Sequence, residues 1–84
     1  LNIRLSNHAL HRANDRGIRR EDIELTIREA EEIIEVKFGR KAAFRQFGDK
    51  FLVVIFEEQK DEIVVVTELK VDKERLKRYG FSRI

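Results

Sequence analysis

The sequence predicts an α+β fold: two N-terminal helices, a four-stranded antiparallel meander sheet and a short C-terminal helix. Three observations predict it. Apolar residues in the first third recur at spacings of three and four, the period of a helix face. The middle is made of short runs rich in Val, Ile and Phe, the composition of strands. Those runs are separated by only two or three turn-type residues, which forces neighbours to pair antiparallel.

The elements follow in order. Ser6 can cap a helix that begins near Asn7 and stops at Gly17, which tolerates the left-handed conformation past a helix end. Ala9, Leu10 and Ala13 give it a small apolar stripe. A second helix starts after Arg20, with Glu21 and Asp22 in its first turn, where the dipole favours negative charge. Ile23, Ile27, Ala30 and Ile34 continue its apolar face. Strands are expected at roughly 32–38, 41–47, 51–57 and 62–69. Gly39-Arg40, Gly48-Asp49 and Gln59–Asp61 form the turns between them. Phe51–Phe56 and Ile63–Val66 are apolar throughout and read as central strands covered on both faces. The 41–47 strand alternates, with Lys41, Ala43, Arg45 and Phe47 on one face and Ala42, Phe44 and Gln46 on the other. A last helix spans Lys73 to Tyr79, capped by Asp72 and stopped by Gly80. Phe81 is expected to dock the tail on the body.

The chain has 84 residues, which fits one domain, 1–84, with no linker, repeat or low-complexity stretch. It has no Cys, which excludes a disulfide scaffold, a thiolate metal site and a cysteine nucleophile. No apolar run is long enough to span a membrane. The opening LNIRLSNHALHR has no apolar signal core, so a cytoplasmic location is expected. At 40% charged residues, with no Cys or Met, the composition fits a thermophile. Charge is unevenly placed. Residues 1–20 carry five Arg against Asp15, and residues 70–84 carry six Lys or Arg against Asp72 and Glu74. Since the whole chain is +2, the segment 21–69 is −6. Two basic ends brought together would form one surface for phosphates; held apart, they are ordinary solvated charge.

Glycine-rich phosphate loops, nucleophile elbows and metalloprotease or calcium motifs are absent. The acidic clusters Glu29–Glu32 and Glu57–Glu62 lack metal-ligand spacing, so neither metal nor cofactor is expected. His8, Arg12 and Arg16 stand at i, i+4 and i+8, which stacks them on one helix face. Such a stripe needs anions beside it. These are either a phosphate chain or the protein's own carboxylates, with Glu24, Glu31 and Glu68 as candidates. Arg40, Lys41 and Arg45 form a second basic group, which taken on its own reads first as an exposed, charge-protected edge strand. Lys70, Arg75 and Arg78 form a third, around the last helix.

The run SNHALHRANDRGIRREDIELTIREAEEII resembles the start of the domain-of-unknown-function family 4258. The pattern is His8, then Arg12 and Arg16, then Gly17-Ile18 and a second helix, followed by the strands FLVVIFEE and EIVVVTEL. Arg19 stands where such families open the second helix with Ser or Thr. The family is similar in turn to RelE and BrnT-like toxins of toxin–antitoxin pairs, and VVVTELKVDKERLKRYG resembles the last strand and basic helix of the BrnT-like pattern. The resemblance implies a RelE-like fold, metal-independent cleavage of mRNA and silencing by a cognate antitoxin.

Metal-free RNA cleavage needs a base for the 2′-hydroxyl, cations for the phosphorane and an acid for the leaving oxygen. On that reading His8 is the acid/base, with Arg12, Arg16 and Arg45 as the phosphate-holding part of the catalytic set. Arg40, Lys41, Lys70, Arg75 and Arg78 contact the RNA backbone. Two other readings stand beside it. One is a nucleic-acid-binding module without catalysis. The other is an interaction domain whose apolar sheet face or 71–84 tail docks an antitoxin or a second copy.

Overall fold

A computed structural model describes residues 2–84. Three helices and a five-stranded mixed sheet make up the α+β fold. In chain order the elements are β1 (Asn2–Leu5), α1 (Asn7–Arg16), α2 (Arg20–Arg28), β2 (Glu32–Glu35), β3 (Lys41–Phe47), β4 (Lys50–Glu58), β5 (Glu62–Val71) and α3 (Lys73–Lys77). The sheet order is β1-β5-β4-β3-β2. The expected antiparallel meander is present as β2 to β5. It is extended by β1, which pairs parallel with β5 through Ile3↔Ile63 and Leu5↔Val65. The expectation of four strands, all antiparallel, is therefore corrected to five strands in a mixed sheet. Parallel pairing needs a long crossover, and everything from α1 to β4 supplies it.

Other boundaries also move. The second helix stops at Arg28, so Ile34 belongs to β2 and not to that helix. The first meander strand ends at Glu35, because Lys37–Gly39 forms a single tight turn in which Phe38 (φ 65°) and Gly39 (φ 69°) are both left-handed. The last helix closes at Lys77, two residues short of Tyr79. The caps are as expected at two helices: Ala9 N–H donates to Ser6 Oγ (3.1 Å) and Arg75 N–H to Asp72 Oδ1 (2.9 Å). α1 ends on left-handed Gly17, past which Ile18 N–H returns to the Ala13 carbonyl (2.9 Å). Arg19 stands before α2 and gives no side-chain cap.

Each face of the sheet carries its own core. On one face Ala9, Ala13, Ile23 and Ile27 of the two helices pack on Ala43, Leu52, Val54, Phe56, Ile63 and Val65. On the other, Leu76 of α3 and Phe81 cover Ala42, Phe44, Phe51, Val53 and Val71. Phe81 meets Phe44 edge-on with ring centroids 4.6 Å apart, so the tail docks as expected. β4 from Phe51 to Phe56 and β5 from Ile63 to Val66 are apolar on both faces, as a two-sided central strand requires.

One irregularity decides what each face presents. Opposite Ile55 and Phe56 stand Thr67 and Val65, so Val66 is an extra residue in β5. Such a bulge shifts the alternation by one. Before it, Ile63 and Val65 face the helices; after it, Glu68 and Lys70 do, while Leu69 and Val71 turn to the α3 side.

Candidate nucleic-acid interface

The predicted site residues separate into groups. His8, Arg12 and Arg16 do lie on α1, and all three are exposed. The stripe spans about 12 Å along the helix. It leads from the exposed first turn toward β5, where Arg16 Nη1 donates to the Glu68 carbonyl (2.9 Å). His8 and Arg12 form no side-chain hydrogen bond or ion pair among the described residues. Of the three carboxylates that could lock the stripe to the sheet, only Glu68 stands beside it. Glu24 instead pairs with Arg20 (2.8 Å), and Glu31 accepts the Gln46 backbone N–H (2.7 Å).

The antiparallel register places Lys70 in the same cross-strand row as Leu52 and Arg45 on the helix face. The adjacent row is Ala43, Val54 and Glu68. Lys70 is exposed and free of ion pairs among the described residues. Arg45 lies two strands away, and its Nη1 donates to the carbonyl of Glu29 at the end of α2 (3.0 Å). A cation at that point suits the negative end of the helix dipole, so Arg45 has a structural duty the sequence did not show. Its Nε is buried without a partner.

The remaining basic residues lie elsewhere. Arg40 and Lys41 are engaged by carboxylates across the β3–β4 pair: Arg40 with Glu57 (3.0 Å) and Lys41 with Glu58 (2.5 Å). The bond to Glu58 holds the Lys41 ammonium above its ordinary pKa. Carboxylates hold these two, but not on an edge: β3 lies between β4 and β2, so the reading of 41–47 as an edge strand is corrected. Arg75 and Arg78 lie on α3 and just after it, over the opposite face of the sheet from Lys70. The structure therefore brings Arg16 and Lys70 together on the helix face, with His8 and Arg12 running away from them along α1. It does not bring Arg40, Lys41, Arg75 and Arg78 to that place.

Glu68 is the residue whose role sequence reasoning missed. It is fully buried, and neither carboxylate oxygen has a hydrogen-bond partner. Burial pushes its carboxyl up to about 7, against the opposing pull of the Arg16 guanidinium. A buried carboxyl without partners takes a proton more readily than it holds a charge. Its signal in sequence was hidden by the bulge, because regular alternation from Ile63 and Val65 puts residue 68 on the other face. Among the described residues no three His, Cys, Asp or Glu side chains converge as metal ligands. No helix of the described residues is long and apolar enough to cross a membrane.

Residues 5–77 match the family model described as Domain of unknown function (DUF4258). No curated protein and no solved structure matches the chain.

Proposed function

Since the chain belongs to the DUF4258 family, whose function is not described, we propose its activity from the site itself: a toxin-like, RNA-interacting protein that grips phosphates along α1 and the adjoining end of β5. The observation that carries this reading is that one cation from each basic end of the sequence reaches the same place. Arg16 from the first and Lys70 from the last stand on one face at one strand, and Arg12 and His8 extend the surface along the helix. A single strand laid along α1 would meet successive cations on one line. Its bases would remain outward, so the grip reads charge and not sequence.

Cleavage is a second reading, favoured by one observation. His8 is exposed and unpartnered at the far end of the cationic stripe, where an imidazole can accept the 2′-hydroxyl proton of a held strand. Arg12 and Arg16 would then carry the phosphorane charge. Similarity to RelE and BrnT-like toxins belongs to this proposal, as does silencing by a cognate antitoxin.

Binding of a fluorescent single-stranded RNA, followed by anisotropy across salt, tests the first reading. Steep salt dependence that flattens in the Arg12→Ala variant supports it. An unchanged salt slope in that variant overturns it. Cleavage is tested by adding the protein with EDTA to a translating extract and mapping cuts by primer extension. Cuts that disappear with His8→Ala support the nuclease reading; intact message leaves RNA binding without catalysis.

A further inference from the structure

The opposite rim of the sheet carries a different surface. β2 is the terminal strand. Val36 N–H bonds to the Arg40 carbonyl (2.9 Å), and antiparallel alternation then turns the N–H and C=O of Glu32 and Ile34 toward β3. Those of Ile33 and Glu35 face outward, unpaired by any strand. A row of free backbone groups is a template for another strand.

Apolar side chains stand exposed along the same rim. Ile33, opposite Ala43 on the helix face, is 46% exposed. Phe38, in the turn that leads out of β2, is 84% exposed and left-handed at φ 65°. An aromatic ring in a backbone conformation that suits glycine, with its ring in solvent, has no packing role within this chain.

Charge selects the occupant. The segment 29–35, EAEEIIE, holds four Glu and no Lys or Arg. Glu32 is already taken, because its carboxylate accepts Ser82 N–H, Ser82 Oγ–H and Arg83 N–H, each at 2.8 Å. Glu31 is taken as well, by the Gln46 backbone N–H (2.7 Å). Glu35 remains, on the same face as Ile33 and two positions along the strand from it. A second copy pairing here would crowd two sets of these carboxylates on one seam, which opposes it. We propose that the β2 edge is a docking site for an extended segment of a partner protein. That segment carries Lys or Arg two positions from an apolar residue on one face. Its backbone completes the ladder at Ile33 and Glu35, its apolar residue covers Ile33, and its cation meets Glu35. Such strand addition draws affinity from the main chain and specificity from alternate side chains.

The test uses the whole chain and a synthetic peptide of roughly six residues, strand-favouring, with lysines two positions either side of a valine. Binding is followed by amide chemical shifts and hydrogen exchange. The expected result is shifts centred on Glu32–Glu35 and slowed exchange of the Ile33 and Glu35 amides. Ile33→Lys should weaken binding by about tenfold or more, and Phe38→Gly by a few-fold. Glu35→Lys should weaken it and raise affinity for the matching peptide with glutamates in place of lysines. A peptide of the same charge with a central proline should not protect the amides. Equal binding of the proline peptide, or shifts centred on α1, would overturn the proposal. So would a concentration-dependent dimer abolished by Ile33→Lys, which would make a second copy the occupant.

Discussion

The two rims of this sheet differ in what they leave unfinished. On the β1 side, where β5 runs on past the end of β1, the chain closes over the open half of the strand: Ser6 N–H reaches the Val65 carbonyl (3.0 Å) and the Arg16 guanidinium the Glu68 carbonyl (2.9 Å). Three carbonyls there, those of Val65, Val66 and Glu68, are taken by the chain itself, and the side chains left open are cationic. At the β2 rim the side chains are acidic and the backbone is open. The first rim therefore suits a ligand recognised by its charge, and the second suits one recognised by its backbone. A small domain with one sheet can hold both without competition, because two strands, β4 and β3, lie between them.

The largest effect that would sharpen the contrast lies at Glu68, the one carboxyl buried beneath the cationic rim. In the folded chain it keeps its proton up to about pH 7, whereas an unfolded Glu releases it near its model value of 4.5. The folded state thus binds more protons in this window, and stability falls as pH rises from about 4.5 through 7. Glu68→Gln should remove that slope and stabilise the protein above pH 7 by on the order of 3 kcal/mol. Urea unfolding at pH 5 and pH 8 checks it, and a wild-type midpoint equal at both would refute the buried carboxyl.

Next comes the charge of the same rim. The double variant Arg12→Ala, Arg16→Ala should lower RNA affinity about tenfold or more and flatten the slope of log K against log salt by about 1.4. Titrations between low and physiological salt measure both. Glu35→Lys at the other rim should leave that slope unchanged, and a comparable change there would erase the distinction between the rims.

A smaller effect is expected at Phe38. Glycine accepts φ 65° without the steric cost, so Phe38→Gly should raise stability by about 1 kcal/mol, seen as a higher thermal midpoint. A loss of stability would mean that the ring packs within the chain after all. The smallest concerns the latch at Glu32, whose carboxyl is held below the usual range by the Arg83 backbone N–H, then by Ser82. Its contribution is present above the unfolded carboxyl pKa and disappears as pH falls through the lower folded value. Glu32→Gln should abolish this part of the acid limb, and faster amide exchange at Ser82 and Arg83 would report it.

Much of the fold was legible. Ser6, Gly17 and Asp72 marked helix ends because each supplies a bond or a conformation that a helix end lacks. The alternation of 41–47 located both faces correctly. β1 was not legible as a strand because NIRL is only four residues and its partner lies sixty residues away. Ile3 and Leu5, apolar in alternation with Asn2 and Arg4, were the available signal. Of the site, the stripe on α1 could be read from spacing alone. The duties of Arg40, Lys41 and Arg45 could not, since their partners Glu57, Glu58 and Glu29 are brought near only by strand pairing and by the end of α2.

The extra residue Val66 has a consequence for descent. The bulge absorbs one position without turning its neighbours. A relative lacking that residue would pair in regular alternation and still present its counterparts of Glu68 and Lys70 to α1, because the residues on either side of the bulge already face as a regular strand would place them. Length is thus a tolerant character at this one point of β5: a single-codon deletion of Val66 would leave the linings of the two halves of the protein as they are.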